Sequence, residues 1–365
     1  MLIARNPDRL DWGPVPAGLP AVGAPWVVAW RTDIPGAGAA ARLRSHGCRL
    51  FLTVPTVGVA EITVDAPPPC PSPLASEPLL QLYPGLGGTA VAVDGGGGIR
   101  RWQPDGVTGP RLDMQCSGTA LDPIGLDDGR VAVLRAPAAT RPDAAAGDDG
   151  WSLAVVDPTA GRRLWQRSGR LRSLLPGPGV VFAVEADGRA VLCLEAASGN
   201  IVWRHTTSHP IDDLFASCHG HVWCRGSDGG LVGIAAGDGQ ASAWAALASA
   251  SQPVGIVDGL GRLVVCTGIA IAVVDLRTGR VEQQAAFAPG VHGPMRAHGW
   301  RCLPAGDGHV VFADMNGRVH LAAIAAGARP APIWDAPDRI TGMTALGGTL
   351  VVLTAGGCLF ALRPA

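Results

Sequence analysis

The chain has 365 residues, 47% of them hydrophobic and only 16% charged, with 51 glycines and 31 prolines, a balance expected of many short buried strands joined by turns. A formal net charge of −1 offers no electrostatic footprint for nucleic acid. All 29 basic residues are arginine, which excludes Schiff-base or general-base chemistry by a lysine.

Taken in chain order, the N-terminal stretch MLIARNPDRLDWGP lacks the uninterrupted apolar core of a secretory signal, and no later run approaches membrane-spanning length, so a cytoplasmic setting is expected. A degenerate unit around Trp26–Pro78 and a clearer one at Leu79–Gly118 come next. Five units follow, at Thr119–Ser168, Gly169–Thr207, Ser208–Ser249, Ala250–Ala288 and Pro289–Pro337. The best preserved reads as four short strands: Leu171–Leu175, Val180–Val184, Ala190–Glu195 and Ile201–His205. Turns at Asp187-Gly188 and Ser198-Gly199 supply the positive φ that tight hairpins need. From Asp338 the last unit stops after a third strand, so its fourth must come from elsewhere. Leu2–Trp12 is the expected donor, with Trp12 in the outer-strand position, which would leave no exposed sheet edge.

The units share a signature. Glycines 161, 199, 239 and 279 recur at intervals of 38, 40 and 40 residues, the period of repeated small sheets that complete one another's cores. An acid lies four residues before the glycine and a tryptophan four after it at Asp157, Gly161 and Trp165, and again at Glu195, Gly199 and Trp203. The copy at Asp275, Thr278 and Gly279 has Gln283 where Trp would stand. A large ring at the end of an outer strand belongs between adjacent sheets, a structural task.

With these residues the sequence resembles the PQQ-like, or quinoprotein-alcohol-dehydrogenase-like, β-propeller repeat, marked by Ala-x-Asp-x-x-Thr-Gly-x-x-x-Trp. The match is good over roughly residues 119 to 365 and weaker before. The resemblance implies an all-β fold: one domain spanning residues 1–365, a closed β-propeller of four-stranded antiparallel blades with its ring closed by the N-terminal strand. Eight blades are expected, or seven if Trp26–Pro78 is only an elaborated connection. Quinone-binding dehydrogenases of this kind are much longer and carry two adjacent cysteines. This chain has no adjacent cysteines, so no cofactor is expected.

The first strand of each blade, and the loop entering it, line the funnel of such a fold. Those positions hold Arg170 and Arg172 (RLRSLL), His209, Asp212 and Asp213 (HPIDDLF), Arg296, His298 and Trp300 (MRAHGW), and Arg339 (RITGM). If the chain is an enzyme, a lyase, cyclase or hydrolase, then Asp213 and His298 are its candidate acid and base. If it is a binding module, the same residues contact a protein, peptide or small polar ligand. Gly-x-Ser-x-Gly, His-Glu-x-x-His and Cys-x-x-Cys are all missing, which favours the binding module, expected as a monomer. The densest chemical cluster, Cys218-His219-Gly220-His221-Val222-Trp223-Cys224, read as a strand divides its donors between two faces, so no metal site is expected. Nine cysteines without a pairing pattern are expected to be reduced thiols. Insertions at Ala136–Gly150, between second and third strands, and at Pro289–Trp300, before a first strand, read as loops.

Overall fold

The computed structural model describes residues 19, 25–34, 41–46, 49–54, 58–62, 79–84, 90–94, 99–103, 106–112, 120–126, 129–135, 151–218, 220–227, 230–245, 254–257, 262–266, 270–286, 302–306, 309–314, 316–323 and 330–365. Among them every regular element longer than a turn is a β-strand. Two compact units divide the chain: Pro73–Trp244 forms one, and Met1–Ser72 with Ala245–Ala365 forms the other.

The central unit contains four sheets, each a sequential four-stranded meander. These are β5–β8 (Leu79–Pro84, Ala90–Asp94, Ile99–Gln103, Gly106–Leu112) and β9–β12 (Ala120–Gly125, Val131–Arg135, Ser152–Asp157, Arg162–Ser168). Next come β13–β16 (Leu171–Gly177, Val180–Glu185, Ala190–Glu195, Ile201–Thr206) and β17–β20 (Ile211–Cys218, His221–Gly226, Leu231–Ala235, Ala241–Ala245). Middle strands are apolar on both faces because a sheet packs on each side. In β14 (VVFAVE) and β15 (AVLCLE) almost every side chain is buried, whereas the outer strand β16 is mostly exposed. The core fills the space between sheets: Ala132, Leu134, Leu153 and Val155 meet Leu174, Val181, Ala183 and Leu192. First strands of successive sheets touch, β5 with β9, β9 with β13 and β13 with β17.

The other unit holds a three-stranded sheet, β2–β4 (Arg42–His46, Arg49–Val54, Gly58–Ile62). It also holds two meanders, β21–β24 (Val254–Val257, Arg262–Cys266, Ala270–Asp275, Arg280–Ala286) and β25–β28 (Cys302–Ala305, His309–Ala313, Arg318–Ala323, Ala331–Asp335). Its fourth sheet joins the two ends of the chain. Strands β29–β31 (Ile340–Leu346, Thr349–Thr354, Cys358–Pro364) are completed by β1 (Trp26–Asp33), antiparallel to β31 from Trp26 opposite Pro364 to Asp33 opposite Cys358.

The donor strand therefore differs from the expected one. Leu2–Trp12 lies outside the described residues, and the partner of β31 is Trp26–Asp33, a segment that the repeat spacing had assigned to the degenerate unit. The register explains the exchange. In β12, β16 and β24 the residue just before the Trp165, Trp203 or Gln283 position is bulged out of the ladder, and in β1 the bulge falls just before Trp30. Trp30, packed against the core shared with β2–β4, holds the place expected for Trp12. The Cys358 thiol donates to Asp33 at 2.9 Å and Arg31 lies 5.5 Å from the Phe360 ring centre, tying the two chain ends together.

Between sheets of the central unit, the repeated tryptophans work as the signature implies. Trp165 Nε1 donates to the Ala196 carbonyl at 2.9 Å, and Trp203 Nε1 to the Ala236 carbonyl at 2.8 Å. Each ring lies on the turn glycine of the next sheet: a Cβ on Gly199 would come within 2.7 Å of Trp165, and one on Gly239 within 2.8 Å of Trp203. Both glycines have φ of 75°, which L side chains rarely adopt. The acid of the signature shapes the same turn. Asp157 Oδ1 accepts the Thr159 and Ala160 N–H groups, each at 2.9 Å, and Asp275 accepts from the Arg277 N–H at 2.7 Å and the Thr278 hydroxyl at 3.0 Å. The Arg277 N–H foremost holds the Asp275 carboxyl below the usual carboxylate range.

Two stability measurements follow. A chain lacking residues 1–33 should melt far below the full chain; a melting temperature close to that of the full chain would refute the pairing of β1. Trp203→Ala should cost roughly 3–5 kcal/mol as a large buried truncation, and Gly239→Ala at least about 1–2 kcal/mol from the left-handed backbone alone. Urea denaturation midpoints of the two variants near that of the parent chain would remove the seat from the account of stability.

Candidate functional site

Two neighbouring first strands of the central unit, β13 and β17, carry most of the described candidates. Each is bulged near its start: Ser173 is skipped in the β13–β14 ladder and Asp212 in the β17–β18 ladder. A bulge re-aims side chains, and here it turns polar groups across to the adjacent strand. Ser173 has φ of 50°, the one non-glycine residue in the left-handed region among those described. Such a backbone costs about 1–2 kcal/mol. Its hydroxyl offsets this by donating to Asp213 Oδ1 while accepting the Leu214 N–H at 2.9 Å.

Arg172 makes a second tie, donating from a guanidinium nitrogen to the Ile211 carbonyl. Its path crosses Gly188, where a Cβ would meet the guanidinium and lie 2.8 Å from the Ile211 oxygen. The Ile211 N–H in turn donates to the Gly188 carbonyl at 2.7 Å. Asp212 is exposed, with Oδ2 3.8 Å from an Arg225 nitrogen whose side chain is nearly buried. Arg170 and His209 are exposed at the approach to the two strands, on the same end as Asp212.

Arg339 belongs to the other unit. It is exposed and precedes β29, whose bulge at Thr341 repeats the arrangement of β13 and β17. Gly317 there repeats the role of Gly188, since a Cβ would meet the Asp338 carbonyl oxygen at 2.8 Å. Arg296, His298 and Trp300 lie outside the described residues, as do both insertions at 136–150 and 289–300. The structure thus brings together Arg170, Arg172, His209, Asp212 and Asp213.

The cysteine–histidine cluster is not one strand. Cys218 ends β17 and His221 begins β18, opposite each other across a turn in which Gly220 has φ of 74°. Cys224 is fully buried, and burial foremost, with the Asp213 charge adding to it, pushes its thiol up; burial alone pushes Cys193 up to about 11. Both are therefore protonated and unreactive near neutrality.

Sequence reasoning missed two polar devices. Ser173 carries no local signal, because its conformation follows from the bulge. Asp314 and His320 form a pair at 2.9 Å with both side chains 5% exposed, the imidazole stacked on Phe312 at 5.2 Å between ring centres. Asp314 Oδ1 also accepts the Asn316 and Arg318 N–H groups at 2.8 and 2.9 Å, so the pair closes the β26–β27 hairpin. The Asp-x-Asn-Gly turn at 314–317 was the available signal.

As chemistry, the β13–β17 region presents anchored donors and acceptors beneath exposed ionic side chains. Fixed groups of this kind suit recognition of a polar surface, since little is lost in ordering them on binding.

The Ser173 tie separates backbone strain from hydrogen bonding. Ser173→Ala keeps the strain and loses the hydroxyl, whereas Ser173→Gly loses the hydroxyl but relieves the strain, so the alanine variant should be less stable by roughly 1 kcal/mol in urea denaturation. Equal stabilities would mean that the left-handed backbone at this position carries no cost.

A family model described as outer membrane protein assembly factor BamB matches residues 149–365. No curated protein matches the chain. Among solved structures, BamB from Moraxella catarrhalis aligns with a TM-score of 0.60 at 13% identity, over 93% of this chain and 97% of that one. The C-terminal WD40 domain of Sif2 aligns with a TM-score of 0.63 at 12% identity, over 96% and 99%. The computationally designed Ika8 protein aligns with a TM-score of 0.64 at 13% identity, over 91% and 98%. At such identities the likeness is one of fold, the β-propeller.

Proposed function

The chain belongs to the family of the outer membrane protein assembly factor BamB, and from that membership we propose that it is a non-catalytic propeller that binds a protein or peptide through the lip formed by its first strands. The observation that carries this reading is the locking of Arg172 and Asp213 into ties between strands, beneath Arg170, His209 and Asp212, which are exposed. A rigid polar lip of this kind recognises a partner without having to be ordered first. The family is described as that of an outer membrane protein assembly factor, in keeping with that use. The BamB likeness extends over 93% of the chain.

The proposed whole is one domain of eight blades, residues 1–365, in which the β1–β31 pairing closes the ring. Eight sheets among the described residues support that count over seven. An intracellular setting is part of the proposal, in keeping with buried, protonated Cys193 and Cys224. Cell fractionation that recovers the protein outside the cytoplasm would remove that part.

A triple variant, Arg170→Ala with His209→Ala and Asp212→Ala, tests the lip. As exposed substitutions these should each shift stability by no more than about 0.5 kcal/mol. Quantitative mass spectrometry of proteins retained by the immobilised full chain should identify a partner whose enrichment falls at least about tenfold with the variant. Unchanged enrichment would place recognition elsewhere.

A further inference from the structure

Strand β12, with sequence RRLWQRS, is the outer strand of its sheet, and no described strand pairs with its far edge. Arg162 and Arg163 are exposed and Arg167 is half-buried. None of the three has an acidic partner among the described residues; Arg163 donates only to Gln166 of its own strand. Other outer strands differ in this respect. Arg204 of β16 meets Glu185 at 2.8 Å, Asp335 of β28 meets Arg318 at 2.9 Å, and Arg31 of β1 meets Asp33 at 3.2 Å. The acid opposite Arg162 in register is Asp157, whose Oδ1 is taken up by the turn N–H groups.

The main chain of this edge is also set for pairing. The Gly169 N–H donates inward to the Trp151 carbonyl at 3.0 Å. By the alternation of an antiparallel ladder, Arg167 and Trp165 also turn their main-chain groups toward β11, and Gln166 and Ser168 turn theirs outward. The Trp165 indole, hydrogen-bonded to Ala196, pins the strand in place.

We infer that the outer edge of β12 docks an extended acidic segment of a partner protein, which adds there as a further antiparallel strand. Ladder bonds to Gln166 and Ser168 hold its backbone, and its carboxylates meet Arg162, Arg163 and Arg167. A second copy of this chain is a poor occupant, because apposing two β12 edges brings six arginines together without a counter-charge. The inference rests on the reading of the chain as a protein-binding module, but puts this contact on a different strand from the lip.

The probe is a blocked peptide of about eight residues alternating glutamate and threonine, titrated against the full-length protein at low salt. Binding is expected, with affinity falling at least about tenfold in the Arg162→Gln/Arg163→Gln variant and with a peptide N-methylated at alternate residues, which keeps its charge but cannot pair. The Arg170, His209 and Asp212 variant should bind the probe as the parent does. Failure of the parent to bind overturns the inference and leaves the lip untouched. So does equal binding of the N-methylated peptide, which would mark a surface for polyanions in general such as nucleic acid. Equal binding by the arginine variant, or loss of binding in the lip variant, overturns it as well.

Discussion

An indole ring seated on a glycine that has no Cβ is the contact on which the stacking of the central sheets depends. Trp165 on Gly199 and Trp203 on Gly239 each combine three requirements: a ring large enough to bridge two sheets, an N–H to satisfy a carbonyl of the next sheet's turn, and a left-handed turn that leaves room for the ring. In the copy at Asp275 the acid and the hydroxyl of the signature hold the corresponding turn in shape. A four-stranded sheet has two apolar faces and is completed only by its neighbours.

The fold was legible because its elements answer to local rules. Strands 171–177, 180–185, 190–195 and 201–206 follow from apolar runs broken by Asp-Gly and Ser-Gly, and they extend the expected limits by at most two residues. What could not be read was pairing across the length of the chain. Trp12 and Trp30 both stand well ahead of the first clear repeat, and only the ladder with β31, bulged before Trp30, shows which one fills the outer place. Likewise Cys218 to Cys224 alternates like a strand, yet Gly220 turns it into a hairpin.

The candidate site was legible by position more than by role. Counting strands put Arg170, Arg172, His209, Asp212 and Asp213 at the start of first strands, where they are. It could not show that Arg172 reaches a carbonyl on the next strand, or that Asp213 accepts from Ser173, because both depend on bulges set by three-dimensional packing. Polar residues at such places combine adhesion between strands with display to the outside. Their residue types alone do not separate the two.

The sheet that joins the chain ends has a consequence for how the protein is made. Strand β1 is made long before β31, with Asp33 and Cys358 lying 325 residues apart, so Trp26 and Trp30 have no ladder to enter until β31 has been synthesised. Through that interval two tryptophans, with Val27 and Val28 between them, are a sticky, unpaired stretch of nascent chain. Val27 and Val28 remain 48% and 44% exposed even once folding is complete. Bringing partners 325 residues apart together carries a large loop-closure entropy, so this pairing is the natural slow step of maturation. The chain is thereby most exposed to chaperones and to misassembly around β1.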